Sequence, residues 1–324
     1  MSCYNSEEWV NNAISSVLNQ TFEDFEFVII DDGSIDNTLN IVKGFSYLDS
    51  RIKIIEKNHT GLADSLNIGI FQSDGKWIAR IDADDVCELN RIELQVAFVE
   101  SNPEIVFLGS GCVEVSMGNT MQKINSYPES HHGLVKHLES SKNFPPHSSA
   151  FYSTNVVRLI GGYRKQFRMS QDRDLWLRLS EIGNLACINK PLVRIRNHEG
   201  QVSNSNNRVK QILYSRIATI SYFVRIKGAQ DPVDGNDSEY AFYKDWIEKQ
   251  INVKKLSNIV NTRNIIMLAL RSPINLSNLL QLVMKIFNGC PYLLHILIER
   301  YLGVNTPRIL AKKWLLLNSD KNNV

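Results

Sequence analysis

The sequence predicts an α/β protein in which helices flank a mostly parallel sheet, followed by a C-terminal helical region. Three observations carry that prediction. Strand-like apolar runs alternate with amphipathic helical runs over the first hundred residues, the pattern of a sheet whose strands are joined by crossover helices. Two of these runs end in acidic clusters, Asp31-Asp32 and Asp82-Ala83-Asp84-Asp85. Beyond about residue 207 the strand signals give way to helical ones, and after residue 251 the chain turns basic and leucine-rich.

The elements follow in order. Val10, Ala13, Ile14, Val17 and Leu18 recur at helical spacing, with Asn5 or Ser6 as N-cap and Glu7 and Glu8 suited to the first turn. Phe25 to Ile30 is aromatic and β-branched and stops at Asp31-Asp32-Gly33-Ser34, so it reads as a buried strand opening into a turn. A short helix from about Asp36, a strand over Ile52 to Glu56, a helix over Gly61 to Gln72 and a third strand over Trp77 to Ile81 complete the alternation. A helix from Asn90 to Glu100, short strands at Ile105 to Leu108 and Cys112 to Val115, and helices near His132 to Ser140 and from Gln171 come next. The expected domains are 1–207, carrying the sheet and the chemistry, and 208–324, helical and basic.

Composition removes several classes. With 43% hydrophobic and 22% charged residues the chain can build an ordinary core, which excludes collagen-like and wholly disordered readings. Its five cysteines show no CxxC spacing, which argues against a zinc site and a disulfide framework and favours a reducing, cytoplasmic setting. No run reaches the roughly 18 apolar residues of a spanning helix. Residues 251–324 hold ten Lys or Arg against Glu299 and Asp320, a balance of +8, so the remainder of the chain stands at −6. The apolar face of Leu276, Leu279, Leu280, Val283 and Phe287, with Tyr292 to Leu302 and Ile309 to Leu317, fits a helical subdomain or an in-plane contact with an anionic membrane surface. The tail carries no nucleic-acid recognition motif.

Ligands of parallel α/β sheets bind beyond the carboxyl ends of the strands, where both acidic clusters are expected to share a crevice. Carboxylates packed a few ångströms apart oppose one another's ionisation, and a divalent cation is the usual remedy. All-oxygen ligands favour Mg²⁺ or Mn²⁺. Taken alone, the Asp82–Asp85 cluster also fits a solvated turn, but it does not fit a calcium loop, which needs a glycine at its sixth position. No GxGxxG or GxxxxGK[ST] loop is present, so a glycine-loop mode of phosphate binding is disfavoured. Asp172 and Asp174 lie two residues apart on a predicted helix and point about 200° apart, so only one can face a cleft. Asp172 shares its phase with Leu175, Trp176 and Leu179 and is the candidate general base; Asp174, four before Arg178, is expected on the outer side in an ion pair. His198, in a polar loop after the strand Leu192 to Arg196, is a candidate metal or diphosphate ligand, and His147 a candidate acceptor-site residue.

Tyr4-Asn5, Ser16 to Phe22, Ile30-Asp31-Asp32-Gly33-Ser34, Asp82-Ala83-Asp84-Asp85, Asn90-Arg91 and Gln171 to Arg178 together resemble the inverting family 2 glycosyltransferases of the GT-A fold, over about residues 1–205. The resemblance implies transfer of a sugar from a nucleoside diphosphate sugar, UDP-linked, to a saccharide or lipid-linked acceptor in bacterial surface polysaccharide biosynthesis. It implies that Tyr4 and Asp32 contact the nucleoside base, Asp82 or Asp84 the ribose, and that Asp84, Asp85 and His198 hold Mg²⁺ or Mn²⁺. Asp172 becomes the base that deprotonates the acceptor, and Arg91 or Arg196 steadies the charge on the leaving group. A peripheral position on the inner face of the cytoplasmic membrane is the matching location.

Two departures stand out. Gln171 replaces the acidic residue such proteins place before the base, and the chain opens at Met1-Ser2-Cys3-Tyr4-Asn5 without the apolar first strand. The first strand is therefore expected to be missing, with the start lying upstream or the fold poorly stable. Competing readings are a nucleotidyltransferase, which would want a glycine-rich basic loop before Tyr4, and a catalytically degenerate nucleotide-sugar-binding or membrane-scaffold protein.

Overall fold

The computed structural model describes residues 1–116, 122–140, 142–198, 208–251 and 306–319. The chain divides into two compact units, Met1–Leu138 with Lys142–Glu199, and Glu139–Ser141 with Gly200–Val324.

The first unit holds two sheets. In the first, β1 (Ser2–Cys3), β2 (Phe27–Asp31) and β3 (Ile52–Glu56) run parallel in that order, with Ser2 opposite Ile30 and Phe27 opposite Ile52. The first strand is thus not missing. It spans two residues and pairs beside β2, where Asp32 N–H donates to the Cys3 carbonyl at 2.9 Å and Ser2 bridges in parallel to Asp82. Every residue of β2 is buried, as its uninterrupted apolar run requires. Helices α1 (Val10–Leu18), α2 (Thr38–Ser46) and α3 (Leu62–Gln72) link or flank these strands. Helix α1 buries Val10, Ala13, Ile14 and Val17, of which Val10, Ile14 and Val17 join a core with Phe27, Ile29, Val42 and Ile81. It starts at Val10 rather than Ser6: Ser6–Trp9 forms a turn, and the Glu7 carboxylate accepts the Asn37 N–H at 2.8 Å instead of lying on a first helical turn.

The second sheet departs from the parallel expectation. Its strands are β4 (Trp77–Ala79), β8 (Phe151–Ser153), β6 (Ile105–Ser116), β9 (Asn184–Asn197) and β5 (Val86–Cys87) in spatial order, with β7 (Gln122–Asn125) also on β6. Only β6 and β9 pair in parallel; β4, β5, β7 and β8 all pair antiparallel. Trp77–Ala79 therefore does not extend the β1–β3 ladder, because Phe151–Ser153, far away in sequence, supplies its partner. Helices α4 (Arg91–Ser101), α5 (His131–Glu139) and α6 (Thr154–Leu159) and the 3₁₀ turn His147–Ser149 pack around this sheet. The pairing of β5 with β9, Val86 opposite Arg194, draws the end of β9 alongside Asp84 and Asp85.

Helix α7 (Gln171–Leu179) is anchored by an ion triad. Asp174 is 1% exposed and binds Arg164 and Arg178, each at 3.0 Å through Nε to Oδ2. The Arg178 fork also donates to the Ile160 and Gly162 carbonyls at 2.8 and 2.6 Å. The Asp174–Arg178 pair expected from the sequence is present but faces inward, because Arg164 arrives from a preceding loop and makes burial affordable.

The second unit contains α8 (Arg208–Arg225), α9 (Asp237–Ile251) and α10 (Thr306–Ser319). Trp314 of α10 packs against Phe242, Tyr243 and Trp246 of α9. Among the described residues no helix is long and apolar enough to cross a membrane. The sequence-predicted apolar segments from Leu276 to Leu302 lie outside the described residues.

Removing one member of a buried ion group strands the others. Asp174→Ala is expected to lower unfolding stability by about 3–5 kcal/mol, read from the urea midpoint; a loss under about 0.5 kcal/mol would show that α7 is held by its apolar residues alone.

Candidate active site

The site lies at the ends of β1, β2 and β4, within the first unit. Beside β2, Tyr4 is 43% exposed and stacks on His59 with ring centroids 4.1 Å apart. Beneath them Asp32 is buried and its carboxylate is satisfied by its own chain: Lys57 Nζ, the Thr60 and Gly61 N–H groups at 2.9 Å each, and His59 Nδ1 at 3.0 Å. Burial pushes this carboxyl upward, but the bonds from Lys57, Thr60 and Gly61 outweigh it and hold Asp32 below the ordinary range. Gly33, at φ +74°, lets the turn after β2 close on the loop after β3, since a Cβ there would meet the His59 nitrogen at 2.9 Å.

At the end of β4 the Asp82, Asp84 and Asp85 carboxylates each offer an oxygen, all within 4.8 Å of one another. Asp82 takes both prongs of the buried Arg80 guanidinium and accepts from Ser148 Oγ at 3.0 Å. Asp84 Oδ2 lies 2.9 Å from His198 Nε2. Asp85 is 4% exposed, accepts the Arg196 N–H at 3.0 Å and is bonded by Ser148 Oγ. Burial first, then the charges of Asp82 and Asp84, push the Asp85 carboxyl up to about 8. Such a group favours a neighbouring cation, and carboxylate oxygens with one imidazole form a donor set that Mg²⁺ or Mn²⁺ accepts. Arg196, whose Nε donates to the Asp84 carbonyl at 3.3 Å, lies over the Trp9 ring at 4.3 Å.

Asp172 stands in the first turn of α7, half-buried, its Oδ1 accepting the Arg173 N–H at 2.8 Å. A buried aromatic wall separates it from Arg80. His147 Nε2 meets the Tyr163 hydroxyl at 2.6 Å, and the His147 ring sits edge-on to Trp176, one turn beyond Asp172. Burial, then Tyr152, push the Tyr163 phenol well up; Arg80 opposes the rise and Asp172 adds to it, so one hydroxyl feels both the acidic-cluster side and the candidate base. His147, expected at the acceptor, is half-buried against this wall, and burial followed by Arg80 holds its imidazole well below the usual value.

Arg91 is a correction. Expected to face a diphosphate, it is 1% exposed and donates to Gln95 Oε1 at 3.0 Å, to Cys87 Sγ at 3.2 Å, and to the Arg80 and Ala150 carbonyls at 2.8 and 3.2 Å. It braces the segment just beyond β4 that carries Arg80. Sequence reasoning also missed Lys57, His59, Arg80, Ser148 and Tyr163. Arg80 had a readable signal, a cation two residues before Asp82 on an otherwise apolar strand; the others come from distant segments.

The family model for glycosyl transferase family 2 matches residues 1–161. An uncharacterized glycosyltransferase of Haemophilus influenzae is 33% identical over 236 residues, which cover 68% of this chain and 72% of that protein. The chain belongs to glycosyl transferase family 2. The O-antigen biosynthesis glycosyltransferase WbnJ of Escherichia coli is 30% identical to this family 2 chain over 187 residues, 57% of the chain and 72% of WbnJ. Two solved structures share the fold. Staphylococcus aureus TarS 1–349 in complex with UDP-GlcNAc has a TM-score of 0.56 at 18% identity, over 76% of this chain and 68% of TarS 1–349. The mannosyltransferase PcManGT of Pyrobaculum calidifontis, in complex with GDP-Man and Mn²⁺, has a TM-score of 0.53 at 14% identity, over 96% of this chain and 84% of its own. The expected family and transferase class therefore hold.

A carboxyl held low in the folded state contributes stability above its ordinary pKa and loses it as pH falls through the folded value. Asp32→Asn is expected to cost about 1–3 kcal/mol at pH 7, with a shallower acid limb, so that the variant and the parent converge as pH falls below the ordinary carboxylate range. Parallel stability curves from pH 7 to pH 3 would show that the Lys57–Asp32 cluster does not set this limb.

Proposed function

We propose that this family 2 protein is a metal-dependent inverting glycosyltransferase that moves a sugar from a UDP-linked donor to an acceptor hydroxyl during surface polysaccharide biosynthesis. The observation that carries the reading is the gathering of Asp82, Asp84 and Asp85 within 4.8 Å, with His198 on Asp84. Asp84, Asp85 and His198 would hold Mg²⁺ or Mn²⁺, which when bound supplies positive charge to a diphosphate leaving group. Tyr4, stacked on His59 with Asp32 and Lys57 beneath, offers an aromatic face and hydrogen-bonding groups to the nucleoside. Asp82 faces the ribose. Arg196, and not the buried Arg91, is the arginine placed beside the acidic loop.

Asp172 takes the proton of the acceptor hydroxyl as that oxygen attacks the anomeric carbon opposite the leaving group, which inverts the configuration. It lies on a helix fixed from below by the Asp174 triad, so its reach is set by a rigid element. The polysaccharide setting is supported by WbnJ, and a UDP-linked donor by the TarS complex with UDP-GlcNAc.

The second unit supports a peripheral position on the inner face of the cytoplasmic membrane, near a lipid-linked acceptor. On α10 the exposed Lys312, Lys313, Ile309 and Leu316 share one face, and the helix carries no acidic residue. Basic residues near an anionic surface gain about 1 kcal/mol each.

Asp172→Asn is expected to lower transfer by about a hundredfold or more, while binding of UDP-sugars with Mn²⁺, measured by calorimetry, stays within about threefold. Undiminished turnover would remove Asp172 as the base. In flotation assays with phosphatidylglycerol vesicles, the Lys312→Glu, Lys313→Glu double variant should partition at least about tenfold less than the parent; equal flotation would remove α10 as the contact.

A further inference from the structure

We infer that Arg80 is a built-in counter-cation of the acidic cluster, a positioning residue that neutralises Asp82 and leaves the site matched to one divalent ion. This rests on the metal-dependent reading above. Arg80 is 3% exposed, and both terminal nitrogens of its fork lie on the two oxygens of Asp82. An Arg–carboxylate fork of this kind fixes both partners in one plane and takes one lone pair on each carboxylate oxygen. Asp84 and Asp85 have no such partner: they are met by an imidazole and by a hydroxyl and one backbone N–H.

The charge arithmetic gives the pairing its consequence. Arg80 sets its +1 charge against the −1 of Asp82, so a cation at this end of the strand is left to meet Asp84 and Asp85. Arg80 is placed for this duty by independent contacts. Its carbonyl accepts the Arg91 guanidinium at 2.8 Å, its N–H donates to the Ala150 carbonyl at 2.8 Å, and its Nη1 donates to Ser148 Oγ at 3.1 Å. Ser148 in turn touches Asp82 and Asp85, so a single hydroxyl ties the Arg80-paired carboxylate to its buried neighbour. The surroundings also include His147 and Tyr163, which sense the Arg80 charge from the other side.

A double-mutant cycle reads this directly, because it separates a ligand from a charge-balanced neighbour. Mn²⁺ is titrated into the full chain without nucleotide, and bound ion is measured by loss of the free Mn²⁺ electron-paramagnetic signal. Asp82→Asn leaves Arg80 unpaired beside the ion and should weaken Mn²⁺ binding at least about tenfold. Arg80→Met frees Asp82 and should strengthen it. Arg80→Met with Asp82→Asn removes the pair without changing net charge and should return affinity to within about threefold of the parent. Equal losses in Asp82→Asn and in the double variant would make Asp82 a direct ligand and overturn the inference. If Arg80→Met does not fold, recovery or its absence in the double variant relative to Asp82→Asn decides alone. A parent chain that binds no Mn²⁺ up to millimolar concentration would overturn the metal reading itself, an outcome distinct from a wrong pattern within the cycle.

Discussion

Crowded negative charge at the end of one short strand is the constraint from which the rest of the structure follows. Three carboxylates within 4.8 Å, one of them almost fully buried, are stable only if other groups meet them. The protein answers with Arg80 from below, Ser148 from the 3₁₀ turn, the Arg196 N–H from β9 and His198 from the loop beyond it. These groups and the carboxylates come from three parts of the chain, 80–85, 147–149 and 196–198, which the fold must bring to one point.

The mixed second sheet does this. A purely parallel continuation would have left β4 beside β1–β3 and its acidic loop beside a single neighbour. By pairing β4 with β8 and β5 with β9, the sheet places the segments around Ser148 and Arg196 on either side of Asp82–Asp85. Arg91 then serves the scaffold. Its fork caps the Arg80 and Ala150 carbonyls at the seam between these strands, where burial leaves no water to do so.

The same economy of charge recurs at α7. Asp174, held between Arg164 and Arg178, anchors the helix from its inner side, while Asp172, two residues earlier, is half-buried. The structural carboxylate and the candidate base are thus separated by helical geometry, and Tyr163, bonded to His147, feels both Asp172 on the helix and Arg80.

Much of this was legible in the chain. The alternation of apolar runs up to Trp77, the acidic ends of two strands and the spacing of Asp172 against Leu175 and Trp176 depend on near neighbours, and local periodicity records near neighbours faithfully. The same holds for the family motifs, which are contiguous. What the sequence misjudged involves pairing at long range. Ser2–Cys3 is too short to carry a strand signal, and it becomes a strand only because β2 offers it a ladder edge. Arg91 looks like an exposed cation until Arg80 and Ala150 are seen to need its donors, and Asp174 looks like a surface partner until Arg164 arrives. The sequence by itself determined the α/β class, the family and the acidic clusters at the strand ends. Tertiary structure alone decided which charges are neutralised internally and which stay open to a ligand, because burial and counter-charge depend on segments that meet only when the sheet is assembled.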